Sequence, residues 1–183
     1  MEPAASSSAE PLTPATGDLL EEAFARLAAA VREYRPEEDL KILRRAFEFA
    51  RDRHSQQFRA SGEPYMMHPL AVAQILAERR MDTTCLTTAL LHDVLEDTDA
   101  SIDLIKKEFG EDVARCVNGV TKLSKIALGS REIRQAESIR KMLLAMVEDI
   151  RVILVKIADR LHNMRTLGSL SRERQERIAA ETM

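Results

Sequence analysis

Tryptophan is absent from this chain, and aromatic residues make up only 4% of its 183 positions. Stacking platforms for single-stranded nucleic acid have little to be built from. Any core must be aliphatic, assembled from Leu, Ile, Val, Ala and eight Met. An excess of basic charge is also missing. Lys and Arg number 27 against 30 Asp and Glu, a formal charge of −3, so the electrostatic basis of non-specific DNA binding is lacking and no nucleic-acid partner is expected. Apolar runs such as Ile153-Leu154-Val155 and Ala89-Leu90-Leu91 are broken by charge well short of the ~20 residues that cross a bilayer, so no membrane partner is expected either. The two cysteines, Cys85 and Cys116, make neither a disulfide framework nor a zinc knuckle. The start, Met1-Glu2-Pro3, has no basic and apolar signal region. These absences point to a reducing, cytoplasmic location.

What is present is enough apolar material for a core, 45% hydrophobic against 31% charged residues. Residues 1–17, rich in Pro, Ala, Ser and Thr, read as a flexible leader, and residues 18–183 as one domain. Leu19, Leu20, Phe24, Leu27 and Val31 recur at three- and four-residue steps, which lines one helix face. A second helix is predicted from Pro36, with Glu37, Glu38 and Asp39 in its first turn, to about His54. Ser61-Gly62 and Pro64 break the pattern and predict an ordered loop over 55–67. Helices are predicted over 68–80, from a Thr83 or Thr84 cap to Asp97, and over 101–109, 111–125, 132–148, 150–166 and 171 onward. No run alternates with period two, and neither GxGxxG nor GxxxxGK[ST] occurs. The expected fold class is all-α.

Two polar insertions interrupt the apolar helices. His92 and Asp93, followed by Glu96 and Asp97, lie among Ala89, Leu90, Leu91, Val94 and Leu95. On a helix, i,i+4 spacing pairs His92 with Glu96 and Asp93 with Asp97. Like charges ~4 Å apart cost on the order of 4 kcal/mol at an effective dielectric of about 20, a cost that a bound cation removes. The bland alternative is a charged helix end facing solvent. Downstream, Asp159, Asn163 and Thr166 share one face of the helix predicted over 150–166. The competing reading there is an Asp159 paired with a nearby arginine. His68 stands just before Pro69 at the head of its helix, where a cap or surface role would be ordinary. His54 and His162 read as structural or exposed, Cys85 as a small core residue, and Met142 and Met146 as core.

The strings RHSQQFRASGEPYMMHPLAVAQIL, ALLHDVLEDT and VKIADRLHNMRTLGSL, in that order, closely resemble the hydrolase domain of bifunctional RelA/SpoT homologues. The resemblance covers about residues 18–183. These enzymes belong to the HD superfamily of helical, metal-dependent phosphohydrolases and remove the 3′-pyrophosphate from the alarmones ppGpp and pppGpp. Position by position, the resemblance implies that His68, His92, Asp93 and Asp159 hold one Mn²⁺ ion, a mixed nitrogen and oxygen set whose chemistry would also admit Fe, Co or Zn. It implies that Glu96 and Asp97 form the catalytic acidic pair, that Arg59 packs against the guanine base with Ser61 in the same loop, and that Asn163 and Thr166 contact the nucleoside. Ala60 departs from the family pattern, where Lys or Ser is common, and removes a polar contact near the base.

The activity so implied is Mn²⁺-dependent conversion of ppGpp or pppGpp to GDP or GTP and pyrophosphate, a degradative step of the stringent response. Lys122, Lys125, Arg140, Lys141 and Arg165 are candidates for phosphate contacts, although a solvated helix face is the stronger reading for each. Long relatives continue into a synthetase domain, the implied partner, and then regulatory domains, which this sequence lacks. It reads as an excised fragment or a free-standing hydrolase. In such relatives the segment matching residues 121–135 is thought to change between hydrolase-on and hydrolase-off states. Two rival readings are an HD phosphohydrolase for another nucleotide, against which Arg59 and the RASGEPY loop argue, and a non-catalytic module, against which the intact HDxxED set argues.

Overall fold

The computed structural model describes residues 14–124 and 149–182. Their element order is α1 Pro14–Tyr34, α2 Lys41–Arg53, α3 Met67–Glu78, α4 Thr83–Leu91, α5 Val94–Asp97, α6 Ile102–Phe109, α7 Glu111–Ser124 and α8 Ile150–Arg165, then a 3-10 turn Leu167–Ser169 and α9 Arg172–Thr182. Among the described residues the fold is all-α, with one isolated bridge between Phe58 and Pro64. The helix predicted over 132–148, with Met142 and Met146, lies outside the described residues, as does most of 121–135. The first helix begins at Pro14, inside the stretch predicted as leader.

The centre of the fold is α4. All seven residues from Cys85 to Leu91 are buried, because α2, α3, α7 and α8 pack around this one short helix. A helix covered on every side can carry polar groups only if they are satisfied. Thr87 and Thr88 meet that condition by donating their hydroxyls to the carbonyls of Thr83 and Thr84. On α1 the predicted stripe is realised by Leu20, Phe24, Leu27 and Val31, whereas Leu19 is 55% exposed. A stripe of step three and four has room for only one of two adjacent residues. Phe24 stacks on Phe47 of α2 at 4.8 Å between ring centroids.

Helix boundaries differ from the sequence reading where side chains found other partners. The acidic cluster after Pro36 precedes the helix rather than starting it. Glu38 accepts from Arg35 and from the Thr83 hydroxyl, Asp39 accepts from the Lys41 amide, and α2 starts at Lys41. The cap of α4 is Asp82, whose carboxylate accepts from the Cys85 amide at 2.7 Å, not Thr83 or Thr84. The predicted helix from there to Asp97 is interrupted at His92 and Asp93, which separate α4 from the four-residue α5.

One ionic link sets the register of the two helices that matter most for the site. Asp149 caps α8 by accepting from the Arg151 amide, and its carboxylate lies 2.6 Å from the Arg151 guanidinium. The same guanidinium reaches Asp82, the cap of α4, at 3.1 Å. Hydrogen bonds from Arg151 outweigh the cost of partial burial and hold the Asp149 carboxyl down at about 2. The starts of α4 and α8 are thereby tied together.

Closeness of α7 to α8 depends on Gly119, where an added methyl would meet Val152 Cγ2 at 2.8 Å. Alanine favours a helix over glycine by about 1 kcal/mol, but overpacking a stiff, buried valine costs about 1–3 kcal/mol. Gly119→Ala is expected to lower the melting temperature by a few degrees, at roughly 2–4 °C per kcal/mol for this size. The Gly119→Ala/Val152→Ala pair should lose less than the sum of the two single changes, as thermal unfolding followed by circular dichroism will show.

Candidate metal centre

Three helices deliver the polar cluster. His68 stands in the first turn of α3, His92 at the end of α4, and Asp159 in the middle of α8, and all three are buried. One ligand atom from each lies within 4.8 Å of the other two. His68 Nε2 is 3.2 Å from Asp159 Oδ1, and His92 Nε2 is 3.9 Å from the same oxygen. Asp93 turns one oxygen to each imidazole, Oδ1 at 3.1 Å from His92 Nε2 and Oδ2 at 3.7 Å from His68 Nε2. The structure therefore brings together the four residues that the sequence singled out from three distant segments.

The hydrogen-bond pattern determines what this cluster can bind. His92 Nδ1 is 2.8 Å from the Ala89 carbonyl, which can only accept, so Nδ1 carries the proton. In the neutral ring Nε2 is then a bare lone pair. It is buried without a hydrogen-bond partner and faces carboxylate oxygens of Asp93 and Asp159. Lone pairs converging on one point repel unless a cation stands between them. An ion bonded to imidazole at about 2.1 Å separates neighbouring ligand atoms by roughly 3.0–3.5 Å; the spacings of 3.1 and 3.2 Å fall in that range, and those of 3.7 and 3.9 Å are somewhat wider. The donor set fits a divalent metal ion.

The surrounding groups prepare the donors. His68 Nδ1 is 2.7 Å from His162 Nδ1. Burial pushes both rings toward the neutral form, and for His162 the Arg59 guanidinium adds to this, bringing it down to about 4. Neutral imidazole is the form that ligates a metal. Burial works against charge on Asp159, but the His68 contact and the Lys156 ammonium, 2.8 Å from Oδ2, outweigh it and hold the carboxyl far below its usual range. Asn163 donates to Asp159 Oδ1 at 2.7 Å. On Asp93 the cost of burial is likewise opposed, with the Tyr65 hydroxyl donating to Oδ2, and its carboxyl is held below the usual range. The pairing of Asp159 is thus with a lysine one turn earlier, not an arginine.

Glu96 and Asp97 are exposed on α5, so at these two positions the charged helix end does face solvent. The break after α4 ends the covered helix, and the short α5 carries both acids at the surface. Asp97 is nonetheless held on two sides, with its carbonyl accepting from Gln57 at 2.8 Å and its carboxylate from the Tyr65 hydroxyl at 2.9 Å. On the far side of the cluster, Arg59 donates to Asn163 Oδ1 at 3.2 Å and to Thr166 Oγ1 at 3.3 Å. The stripe on α8 therefore reaches from Asp159 to the predicted base-stacking arginine. Ser61 lies in the same turn, with Gly62 at φ +86, but its hydroxyl donates to Glu63 and it joins none of these contacts. Lys122 and Arg165 are exposed, and Lys125, Arg140 and Lys141 lie outside the described residues.

The sequence reading missed Tyr65, Lys156, Gln57 and His162. Lys156 and His162 stand three residues before and after Asp159, so helical spacing alone placed them beside it. Tyr65 had no periodic signal, because it lies in the loop before α3. His54, read as structural or exposed, is 2% exposed and stacks on Tyr65 at 4.7 Å.

Over 160 residues, 87% of the chain, the sequence is 52% identical to the bifunctional (p)ppGpp synthase/hydrolase SpoT of Escherichia coli (strain K12). Over 134 residues, 73% of the chain, it is 54% identical to the guanosine-3′,5′-bis(diphosphate) 3′-pyrophosphohydrolase of Haemophilus influenzae. These matches occupy only 23% and 20% of the relatives' own lengths. Among solved structures, a metazoan ortholog of SpoT described as hydrolysing ppGpp, with a role in starvation responses, superposes with a TM-score of 0.60 at 29% identity, covering 79% of this chain and 84% of that one. The family model for the HD domain matches residues 46–183, the stretch that supplies His68, His92, Asp93 and Asp159. The chain belongs to the HD domain family.

Proposed function

We propose that this chain is a Mn²⁺-dependent hydrolase that removes the 3′-pyrophosphate of ppGpp and pppGpp, with His68, His92, Asp93 and Asp159 as metal ligands. The observation that carries the reading is the bare, buried His92 Nε2 facing two carboxylates. The likeness to relatives named for this reaction supports the choice of substrate. When bound, the cation supplies positive charge that favours deprotonation of water and stabilises charge building on the phosphoryl group. Imidazole and carboxylate donors suit Mn²⁺ among the metals that such a set accepts.

The chain's own residues do the rest. Arg59 offers a planar guanidinium to the guanine ring. Asn163 and Thr166, which hold that guanidinium, lie where they can meet the nucleoside, with Ser61 in the adjoining turn. Water adds to the phosphorus bonded to the 3′ oxygen, the P–O3′ bond breaks, and the 3′ oxygen takes a proton. Glu96 and Asp97, exposed beside the buried donors, are placed to accept the proton from water and return one to the leaving oxygen. Lys156 keeps Asp159 ionised as a ligand.

The chain spans 23% of the length of the bifunctional relative. We assign residues 18–183 to the hydrolase unit, and place the synthetase that it would work beside in the remaining length of such proteins. No helix among the described residues is long and apolar enough to cross a membrane, in keeping with a cytoplasmic substrate.

Added Mn²⁺ is expected to raise the melting temperature of the wild-type chain, and chelation to abolish pyrophosphate release. Asp159→Ala should remove the Mn²⁺-dependent thermal shift. Asp97→Asn and Glu96→Gln should keep that shift while slowing turnover, by about 10²-fold or more if the residue moves the proton. Metal loss in these two variants would reverse the assigned roles. Comparing ppGpp with dGTP and cyclic dinucleotides by product chromatography tests the substrate, and hydrolysis of the latter alone would replace it.

A further inference from the structure

One hydroxyl touches both halves of the site. Tyr65 Oη lies 2.7 Å from Asp93 Oδ2 and 2.9 Å from Asp97 Oδ2. Asp93 faces the buried imidazoles, whereas Asp97 is the exposed acid on α5. A phenol has a single proton to donate, so the two carboxylates share one donor, and a shift of either changes the hold on the other.

The ring that carries this hydroxyl is fixed independently of both acids. It stacks on buried His54 at 4.7 Å with an interplanar angle of 26°, and meets the His68 ring edge-on at 6.2 Å. Its amide donates to the Gln57 carbonyl, and its own carbonyl accepts from the His68 amide at the start of α3. Gln57 closes the circuit. Its side-chain amide donates to the Asp97 carbonyl, which leaves its Oε1 to accept from His54 Nδ1 at 2.7 Å. His54, Gln57 and Tyr65 thus form a brace that grips Asp97 by main chain and side chain, and grips Asp93 by the same phenol.

We propose that Tyr65 is a positioning residue that locks Asp97 to Asp93 through its one hydroxyl, so that cation binding and the orientation of the acid are coupled. The inference deepens the proposed hydrolase reading and rests on it for the roles of Asp93 and Asp97. Outer-shell hydrogen bonds to ligating carboxylates typically contribute 10–100-fold to metal affinity or activity. A brace that orients the acid without touching the substrate changes kcat and leaves KM alone.

Tyr65→Phe removes the hydroxyl and keeps the ring that stacks on His54. Calorimetric titration of the 183-residue chain with Mn²⁺ is expected to show affinity about tenfold weaker than wild type. At saturating Mn²⁺, kcat for ppGpp should still fall about tenfold with KM changed by less than about twofold. In an Asp97→Asn background the same change should lower kcat by less than about twofold, because the acid that it orients is already disabled. Mn²⁺ affinity within twofold of wild type, or a full tenfold loss persisting beside Asp97→Asn, would overturn the coupling. A wild-type chain that leaves ppGpp intact would instead discard the hydrolase reading and the catalytic role of Asp97, while weaker Mn²⁺ binding by Tyr65→Phe would still uphold the hydroxyl link to Asp93.

Discussion

The convergence of imidazole nitrogens and carboxylate oxygens inside an apolar bundle is the constraint around which the rest of the molecule is arranged. Burying such groups without partners costs several kcal/mol each, more than most single packing contacts return. The structure meets the cost group by group. The Ala89 carbonyl takes the proton of His92 Nδ1, His162 occupies His68 Nδ1, and Lys156 and Asn163 hold the two oxygens of Asp159. Among the donors of this cluster, His92 Nε2 is left buried without a hydrogen-bond partner. It points where a cation would complete the set.

The donors come from three segments, with His68 on α3, adjacent His92 and Asp93 at the end of α4, and Asp159 on α8, so the cluster is only as well defined as the packing of these helices. The apolar side chains of α4 provide the common surface for its neighbours. The Asp82–Arg151–Asp149 link then fixes how far α8 slides along α4. Asp159 lies two turns beyond Arg151, and His92 lies at the far end of α4 from Asp82. A slip of one turn, about 5.4 Å, would separate Asp159 from His92 by more than any ligand sphere spans. Electrostatics at the helix starts therefore governs chemistry at the other end.

The site is also divided by water. The residues read as metal ligands sit in the bundle, where few competing dipoles screen them, while Glu96 and Asp97 stand on the short α5 in contact with solvent. That division suits the proposed roles, since ligands gain from a dry setting and a proton carrier must exchange with water. Tyr65 bridges the two environments, and the Arg59 loop closes the other flank over Asn163 and Thr166.

Much of this was legible in the residue order. Helical periodicity gave the class and most helix cores, and the crowding of His92, Asp93, Glu96 and Asp97 into an apolar run marked the chemistry. Asp159, Asn163 and Thr166 were visible because a helix places every third or fourth residue on one line. Helix starts were less legible, since Glu38 took Arg35 and Thr83 as partners rather than a helix amide, and Asp82, not the threonines after it, caps α4. The exposure of Glu96 and Asp97 was hidden because pattern reports apolar neighbours and not where a helix breaks. The local spacing of each motif, and hence the kind of chemistry, belongs to the sequence alone. That His68, His92 and Asp159 share one small volume, which His92 nitrogen is bare, and that a loop tyrosine joins two acids were decided only when the helices packed, because contacts across tens of residues leave no period in the chain.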